Sequence, residues 1–354
     1  MRGYQAAGWR HNSRMNLDFP GGSKSRVNAA GDSVRKNCAT EEDFMVIEEW
    51  RSAHAAVLNT FQALLRNRAK DYGGSVVQRL KRKSTIFDKL HRQEKMELSR
   101  MDDVAGCRVI LPDIKTLQEF RASLHNANFK HTLKNEPEKY HYIRQPKKDG
   151  YRGVHDVYAY DVNSIEGKNL KGLRAEIQYR TLVQHSWSTA NEILGVIAEA
   201  QPKYHLGDPR YVEAMALAGE ILARGLEGCT GPFGGWTNIQ VVSRFIELDL
   251  DLGLRLRLKA LQVADQTKNS PHGHVVLSKS GFTLTVTNFD SAEPAMAYLF
   301  EKEKLEPETD TVYVTGDTVD GIRLGYKNYY DDATEFLTML EDAAQRMWFG
   351  LPPV

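Results

Sequence analysis

The 354-residue chain is long enough for two domains with their own cores, and 41% hydrophobic with 26% charged residues excludes a disordered or membrane-embedded class. A net charge of +1 excludes a uniformly basic or acidic chain, though not local clustering toward a polyphosphate or nucleic acid. Cys38, Cys107 and Cys229 are scattered and form no CxxC pair, which argues against a disulfide framework and a zinc site and for a reduced, cytoplasmic setting. No apolar run approaches the roughly 20 residues of a membrane span, so no membrane partner is expected. The N-terminus carries Arg2 and Arg10 but lacks the apolar core of a secretory signal.

Residues 1–40 are rich in Gly, Ser, Asn, Lys and Arg and read as a flexible extension, with a functional basic arm as the other reading. From Thr40 the pattern changes. Thr40-Glu41-Glu42-Asp43 is a helix start, and Phe44, Ile47, Trp50, Ala53, Val57, Leu58, Phe61, Leu64 and Leu65 recur at helical spacing. A basic helix is predicted over Val77–Arg92, a strand over Gly106–Leu111 and a helix over Ile114–Ala127. A basic loop covers Lys139–Tyr151; strands follow at Val154–Asp161 and Leu173–Tyr179, then a helix from Leu182 to about Glu199. Strands interleaved with helices predict an α/β (α+β) unit with a mixed sheet flanked by helices, spanning residues 41–203. Helices are predicted next at Pro209–Gly225 and Asn238–Leu261, strands at His274–Leu277 and Phe282–Asn288, a helix at Ala292–Lys304, a strand at Thr311–Thr315 and a last helix at Ala333–Met347. This half, residues 205–354, reads as a separate, smaller α+β domain.

Four segments carry chemistry. On a helix, Lys81, Thr85 and Lys89 would stand at i, i+4 and i+8 behind Arg79, a face suited to an anion such as a triphosphate. Alone, this is as readily a solvated basic face. Asp102-Asp103 enters a short apolar strand carrying Arg108, and carboxylates at a strand edge are hard-oxygen ligands suited to Mg²⁺, or simply a turn pair. On a strand, Glu176, Gln178 and Arg180 share one face, as any exposed sheet face would allow. In Lys139–His155, cations alternate with Tyr140, Tyr142 and Tyr151, and Gly150 presents Tyr151, so a base could stack while ammonium groups hold phosphates.

In this order RLKRKSTIFDKL, DDVAGCRVI, KYHYIRQPKKDGYRGVH and EIQYRT resemble the RelA/SpoT-type (p)ppGpp synthetase domain over residues 70–195, roughly a third of the chain. The resemblance implies a nucleotidyltransferase-like domain that moves a diphosphate from ATP to a ribose 3′-hydroxyl. It implies ATP phosphates among Arg79, Lys81, Thr85, Lys89 and Arg108, and Mg²⁺ on Asp103. Glu176 would be the second acidic residue, orienting the metal or drawing the proton from the 3′-hydroxyl. An acceptor base would stack on Tyr151 near Tyr142, its phosphates near Lys139, Lys147 and His155, with Gln178 and Arg180 lining the cleft. GDP or GTP is the expected acceptor. The 3′-CCA end of tRNA, or an adenine nucleotide, is the alternative, because Asp149-Gly150-Tyr151-Arg152-Gly153 departs from the family's commoner Asn-Gly-Tyr-Gln-Ser. A catalytically silent nucleotide- or RNA-binding module is the third reading.

About 70 residues precede the synthetase motifs, and no alarmone hydrolase activity is expected. The C-terminal half is expected to regulate the synthetase by occluding its cleft or sensing a protein partner. Its Tyr326-Lys327-Asn328-Tyr329-Tyr330 patch, followed by Asp331-Asp332, reads also as an aromatic turn on the domain's own sheet. Small synthetases of this type can assemble into homo-oligomers, but no heptads appear here.

Overall fold

The computed structural model describes residues 19–165, 167–197, 208–260, 271, 273–281, 283–316 and 319–354. The first helix, α1 (Lys24–Arg35), falls where composition predicts a flexible extension. Ser23 caps it by accepting from the Arg26 amide at 3.1 Å, and Val27, Ala30 and Val34 are buried. Helical spacing among small residues carries little weight in a composition count, which is why this element is hidden. Gly31 lets it approach closely: a Cβ there would stand 2.7 Å from Leu98 Cβ.

The long helix α2 (Glu41–Ala69) starts where expected, in a capping box in which the Thr40 hydroxyl and Asp43 carboxylate each accept from the other's backbone amide. Its apolar stripe, including Ile47, Trp50, Leu58, Phe61 and Leu65, lies across the sheet. The predicted basic helix over 77–92 is instead two elements, β1 (Ser75–Leu80) and α3 (Lys83–Arg92). Val76 and Val77, and pairing with the next strand, override helix-compatible Arg, Leu and Lys. Next come β2 (Ala105–Leu111), α4 (Ile114–His125, capped by Asp113), β3 (Thr132–Leu133), β4 (Val154–Ala159), β5 (Arg174–Thr181) and α5 (Leu182–Ile197). The tail of the predicted 182–199 helix, and the predicted junction near 200–208, fall largely on 198–207, outside the described residues.

The five strands run β1-β2-β5-β4-β3, with β2 and β5 parallel and the other pairs antiparallel. Register sets what the sheet presents. Arg79 pairs with Gly106, Gly106 with Glu176, Arg108 with Gln178, and Gln178 with His155, so these positions share one face. On the opposite face Leu80, Cys107, Val109, Ile177 and Tyr179 join the core beneath α2 and α4.

The second half goes to two places. Helices α6 (Pro209–Glu227), α7 (Asn238–Leu252), α8 (Leu254–Ala260) and the C-terminal Thr334–Phe349 gather with α5 around Trp187, Ile193, Met215, Phe245, Phe336 and Leu340. The single helix expected over 238–261 is broken at Gly253, whose φ of +61° ends α7; residue 261 lies outside the described residues. Strands β6 (Gly273–Ser280), β7 (Thr283–Phe289) and β8 (Asp310–Gly316) form an antiparallel sheet ordered β7-β6-β8, with α9 (Ala292–Leu305) between β7 and β8. A helix the periodicity misses, α10 (Val319–Gly325), follows β8, and Thr334–Phe349 is α11. This sheet closes on β1, where Val77 is buried with Val275, Leu277, Val312, Val314, Ile322 and Tyr326. Among the described residues, no helix is long and apolar enough to cross a membrane.

Candidate active site

Two carboxylates organise the cleft. After β1, the Lys81 amide continues the ladder to the Val104 carbonyl at 2.8 Å, which aims the Lys81 side chain back at the β2 entry. Lys81 Nζ lies 3.0 Å from Asp103 Oδ2, and Lys89 Nζ, from α3, lies 2.9 Å from Oδ1. Burial would raise the Asp103 carboxyl, but the two ammonium groups outweigh it and hold it well below the usual carboxylate range. The neighbouring Asp102 turns away to Arg174 at 2.5 Å.

Glu176, one strand over on β5, accepts from Gln178 Nε2 at 2.7 Å and His155 Nδ1 at 3.1 Å. Burial pushes its carboxyl up, His155 pulls it further down, and the Asp103 charge opposes that pull, so the two carboxylates feel one another across the cleft. His155 is held at both ring nitrogens, since Nε2 lies 2.6 Å from the Tyr151 hydroxyl oxygen. Burial disfavours its charge, but Tyr151 and Glu176 prevail and raise it to about 9. The network continues from Gln178 Oε1, which accepts from Arg180 Nη2 at 3.1 Å.

The same cleft is lined by Arg79, Lys81, Arg108 and Gln178. Burial, then the neighbouring Arg180, brings Arg108 down to about 10. Beside it stands an aromatic and cationic cluster. Lys147 Nζ lies 4.9 Å from the Tyr151 ring and 4.4 Å from the Tyr142 ring, and the Arg180 guanidinium lies 5.2 Å from Tyr151. Tyr142 meets Tyr151 and His155 edge-on. A ring flanked by cations is a surface on which a base can stack while phosphates meet positive charge.

The fold therefore brings together Asp103, Glu176, Arg79, Lys81, Lys89, Arg108 and Gln178, with Tyr142, Lys147, Tyr151, His155 and Arg180 adjoining. Two expected residues stand apart. The Thr85 hydroxyl donates to the Arg82 carbonyl at 2.9 Å within the first turn of α3. Lys139 lies 4.9 Å from the Tyr140 ring and lines a separate open groove with Arg92, Arg100 and Arg174. Lys81 and Lys89 converge for a reason other than helical spacing: one leaves a strand end and the other sits on the helix after it.

The unusual loop sequence has a structural account. Asp149 Oδ1 accepts from the Tyr151 amide at 3.0 Å, a local turn. Arg152 is buried and paired with Glu227 of α6, which also accepts from Thr181 and Gln184. Gly150, at φ +93°, is required twice: a Cβ there would stand 2.8 Å from Ala216 Cα. Sequence reasoning missed Glu192 of α5 and Asn328, which line the cleft with Tyr326 and Tyr329. A lone carboxylate on a largely apolar helix was the available signal for Glu192.

Residues 78–202 match a protein-family model described as "Region found in RelA / SpoT proteins". The chain is 30% identical over 121 residues to GTP pyrophosphokinase YjbM of Bacillus subtilis (strain 168), covering 34% of this chain and 54% of that protein. It thus spans about half the length of this curated relative. Similar solved structures include small alarmone synthetase 1 from Bacillus subtilis bound to its product pppGpp, at 22% identity and TM-score 0.44, covering 50% of this chain and 91% of that one. A GTP pyrophosphokinase family protein from Streptococcus pneumoniae matches at 25% identity and TM-score 0.41, over 50% and 89% of the two chains.

Proposed function

We propose that this chain, whose residues 78–202 match the model of the region found in RelA / SpoT proteins, is a pyrophosphotransferase that moves the β,γ-diphosphate of ATP to the 3′-hydroxyl of GDP or GTP. The observation that carries this reading is the facing of Asp103 and Glu176 within a cleft walled by Arg79, Lys81, Lys89 and Arg108. Attack of the 3′-oxygen on the β-phosphorus forms one P–O bond and breaks the bond to the α,β-bridging oxygen, releasing AMP. Charge builds on phosphate oxygens, so positioning and fixed cations dominate the barrier. Arg79, Lys81, Lys89 and Arg108 would hold the donor phosphates. Glu176, ionised and fixed by His155 and Gln178, would take the 3′-hydroxyl proton. Tyr151, flanked by Lys147 and Arg180, would stack on the acceptor base.

Asp103 and Glu176 suit Mg²⁺. Among the described residues no group of three or more His, Cys, Asp or Glu is placed to hold a metal ion, and Mg²⁺ characteristically takes one or two carboxylates and completes its shell with water and phosphates. Bound there, it would neutralise charge on the transferred diphosphate. The second reading, a tRNA 3′ end as acceptor, would use the open groove in which Arg92, Lys95, Arg100, Lys139 and Arg174 outnumber Glu94, Glu97 and Asp102, a surface that could follow a longer phosphate backbone.

The test uses the full chain with γ-labelled ATP at saturating concentration, Mg²⁺, and GDP, GTP, AMP or total tRNA. Label on a guanine nucleotide, lost in Glu176→Gln, is expected. Label on tRNA alone selects the second reading, and label on no acceptor overturns both.

A further inference from the structure

The connection from α3 to β2 joins the two partners of the Lys89–Asp103 pair, yet it has little core of its own. From His91 to Glu97 every residue but Met96 is exposed, and only Leu98 and Met101 are buried. What holds it is α1. Arg35 donates from Nε to the Leu90 carbonyl at 3.2 Å and from Nη2 to the Met96 carbonyl, so one guanidinium ties both ends of the exposed turn. Leu90 lies in the last turn of α3, where carbonyls lack helical donors and a cation meets the negative end of the dipole. Asp32 pairs with Arg35 from one turn back and keeps it aimed. Beside it His91 Nε2 donates to the Val34 carbonyl at 3.0 Å. Further along, Asn28 Oδ1 accepts from the Ser99 amide at 2.9 Å, and Gly31 leaves room for Leu98. The helix is itself seated, because Val27, Ala30 and Val34 share a core with Val46 and Ile47 of α2.

These contacts from one helix fall at both ends of one connection. Lys89 immediately precedes Leu90, and Asp103 follows Ser99 closely. We propose that Arg35 and Asn28 are positioning residues, and that α1 is a splint fixing Lys89 and Asp103 relative to one another on the donor side of the cleft. This rests on the reading of Lys89 and Asp103 given above. Both side chains bond the backbone of the connection rather than its side chains, so they set the path of the chain whatever the exposed residues do. Fixed placement matters here because misplacing reacting groups by roughly 1 Å can cost about a hundredfold in rate. The acceptor side has other supports: Tyr151 follows a turn made by Asp149, and Arg152 is anchored to Glu227 of α6. His155 and Glu176 stand on paired strands. Loosening α1 should therefore disturb the donor side and leave the acceptor side alone.

The test uses the full chain and two readouts, one of which needs no turnover. Wild type is compared with Arg35→Met, Asn28→Ala, the conservative Arg35→Lys, and Ser25→Ala, an exposed control on the same helix. The Arg100 and Met101 amides bond within the connection at 3.0 Å each and touch neither substituted side chain. Their hydrogen exchange should quicken about two- to tenfold in Arg35→Met and Asn28→Ala, the worth of one hydrogen bond, while amides of β4 keep their rates. In label transfer, kcat/KM for ATP should fall about ten- to a hundredfold in both, with KM for the acceptor unchanged. Arg35→Lys should recover part of the loss, and Ser25→Ala should match wild type. Exchange that quickens equally in β4, or an acceptor KM that moves as far as that for ATP, would reduce α1 to general stability and overturn the proposal. Unchanged exchange at Arg100 and Met101 would overturn it too. Should Arg35→Met fail to fold, Asn28→Ala decides. If wild type labels no acceptor, the pyrophosphotransferase reading falls, and the exchange pattern alone decides whether α1 positions the connection.

Discussion

Arg51 and Glu303, 252 positions apart in the chain, form a two-pronged ion pair with N···O distances of 2.8 and 3.0 Å, and the Arg51 side chain is wholly buried. Arg51 Nε also donates to the Lys81 carbonyl at 2.8 Å. One guanidinium therefore joins α9 of the second half to the backbone beside Asp103.

Removing one partner of such a pair leaves a buried charge. Glu303→Ala should cost about 3–5 kcal/mol in the denaturant unfolding free energy, whereas Glu48, more exposed and also paired to Arg51, should cost about 1 kcal/mol or less on replacement by Ala. Equal, small losses at both positions would show that the Glu303 contact is not formed in solution.

Glu176 is assigned the proton-accepting role. Glu176→Gln should lower kcat by about 10²–10⁴-fold with little change in KM for ATP. A variant that loses affinity for ATP and keeps kcat would place Glu176 in donor binding instead.

His155 gives a pH signature. Its folded pKa, about 9, lies above its ordinary 6.5. The stabilisation tied to its charge is thus complete below about 6.5 and is lost as pH rises through about 9. Burial raises the Tyr151 hydroxyl, but Arg180 and His155 outweigh it and bring it down to about 7, so the comparison is made in a Tyr151→Phe background: there His155 should exceed His155→Gln in melting temperature most near pH 6 and by less at pH 9.5. An advantage that grows with pH would mean His155 is held neutral.

Arg152 and Glu227 are both almost fully buried. Arg152→Met should destabilise by about 3–5 kcal/mol, and Arg152→Met with Glu227→Leu should recover much of it, because the double change removes the stranded carboxylate. KM for the acceptor should rise in both, since Arg152 anchors the residue next to Tyr151. Additive effects in the double-mutant cycle would show that the two side chains do not interact.

The interleaved strands and α2 were legible because each depends on local pattern, such as capping at Thr40 and alternation over 176–180, whereas the pairing of Asp103 with Glu176 in one cleft came only from the resemblance of the ordered motifs to a family. What escaped depends on partners distant in sequence. Ser75–Leu80 is a strand because β2 lies alongside it, and Gly253 breaks a helix that periodicity carries through. Arg152 looks like a departure in an acceptor loop until Glu227 is placed beneath it. The Tyr326–Tyr330 patch was visible as an oddity, but nothing local says that its first tyrosine reaches Gln78, 248 positions away.

The Tyr326–Tyr329 segment that lines the cleft is also late. The strands and helices that bear Arg79, Asp103, Arg108 and Glu176 are complete by Ile197, and Leu324 is added well over a hundred residues afterwards, an interval of roughly 6–25 s at the ~5–20 residues per second of translation. During that interval a nascent chain carries the catalytic face uncovered, together with the apolar sides of α5 and Val77 that α6, α11 and the second sheet later cover. Translation speed through the second half thus sets how long each new molecule stays open and how long it is exposed to aggregation.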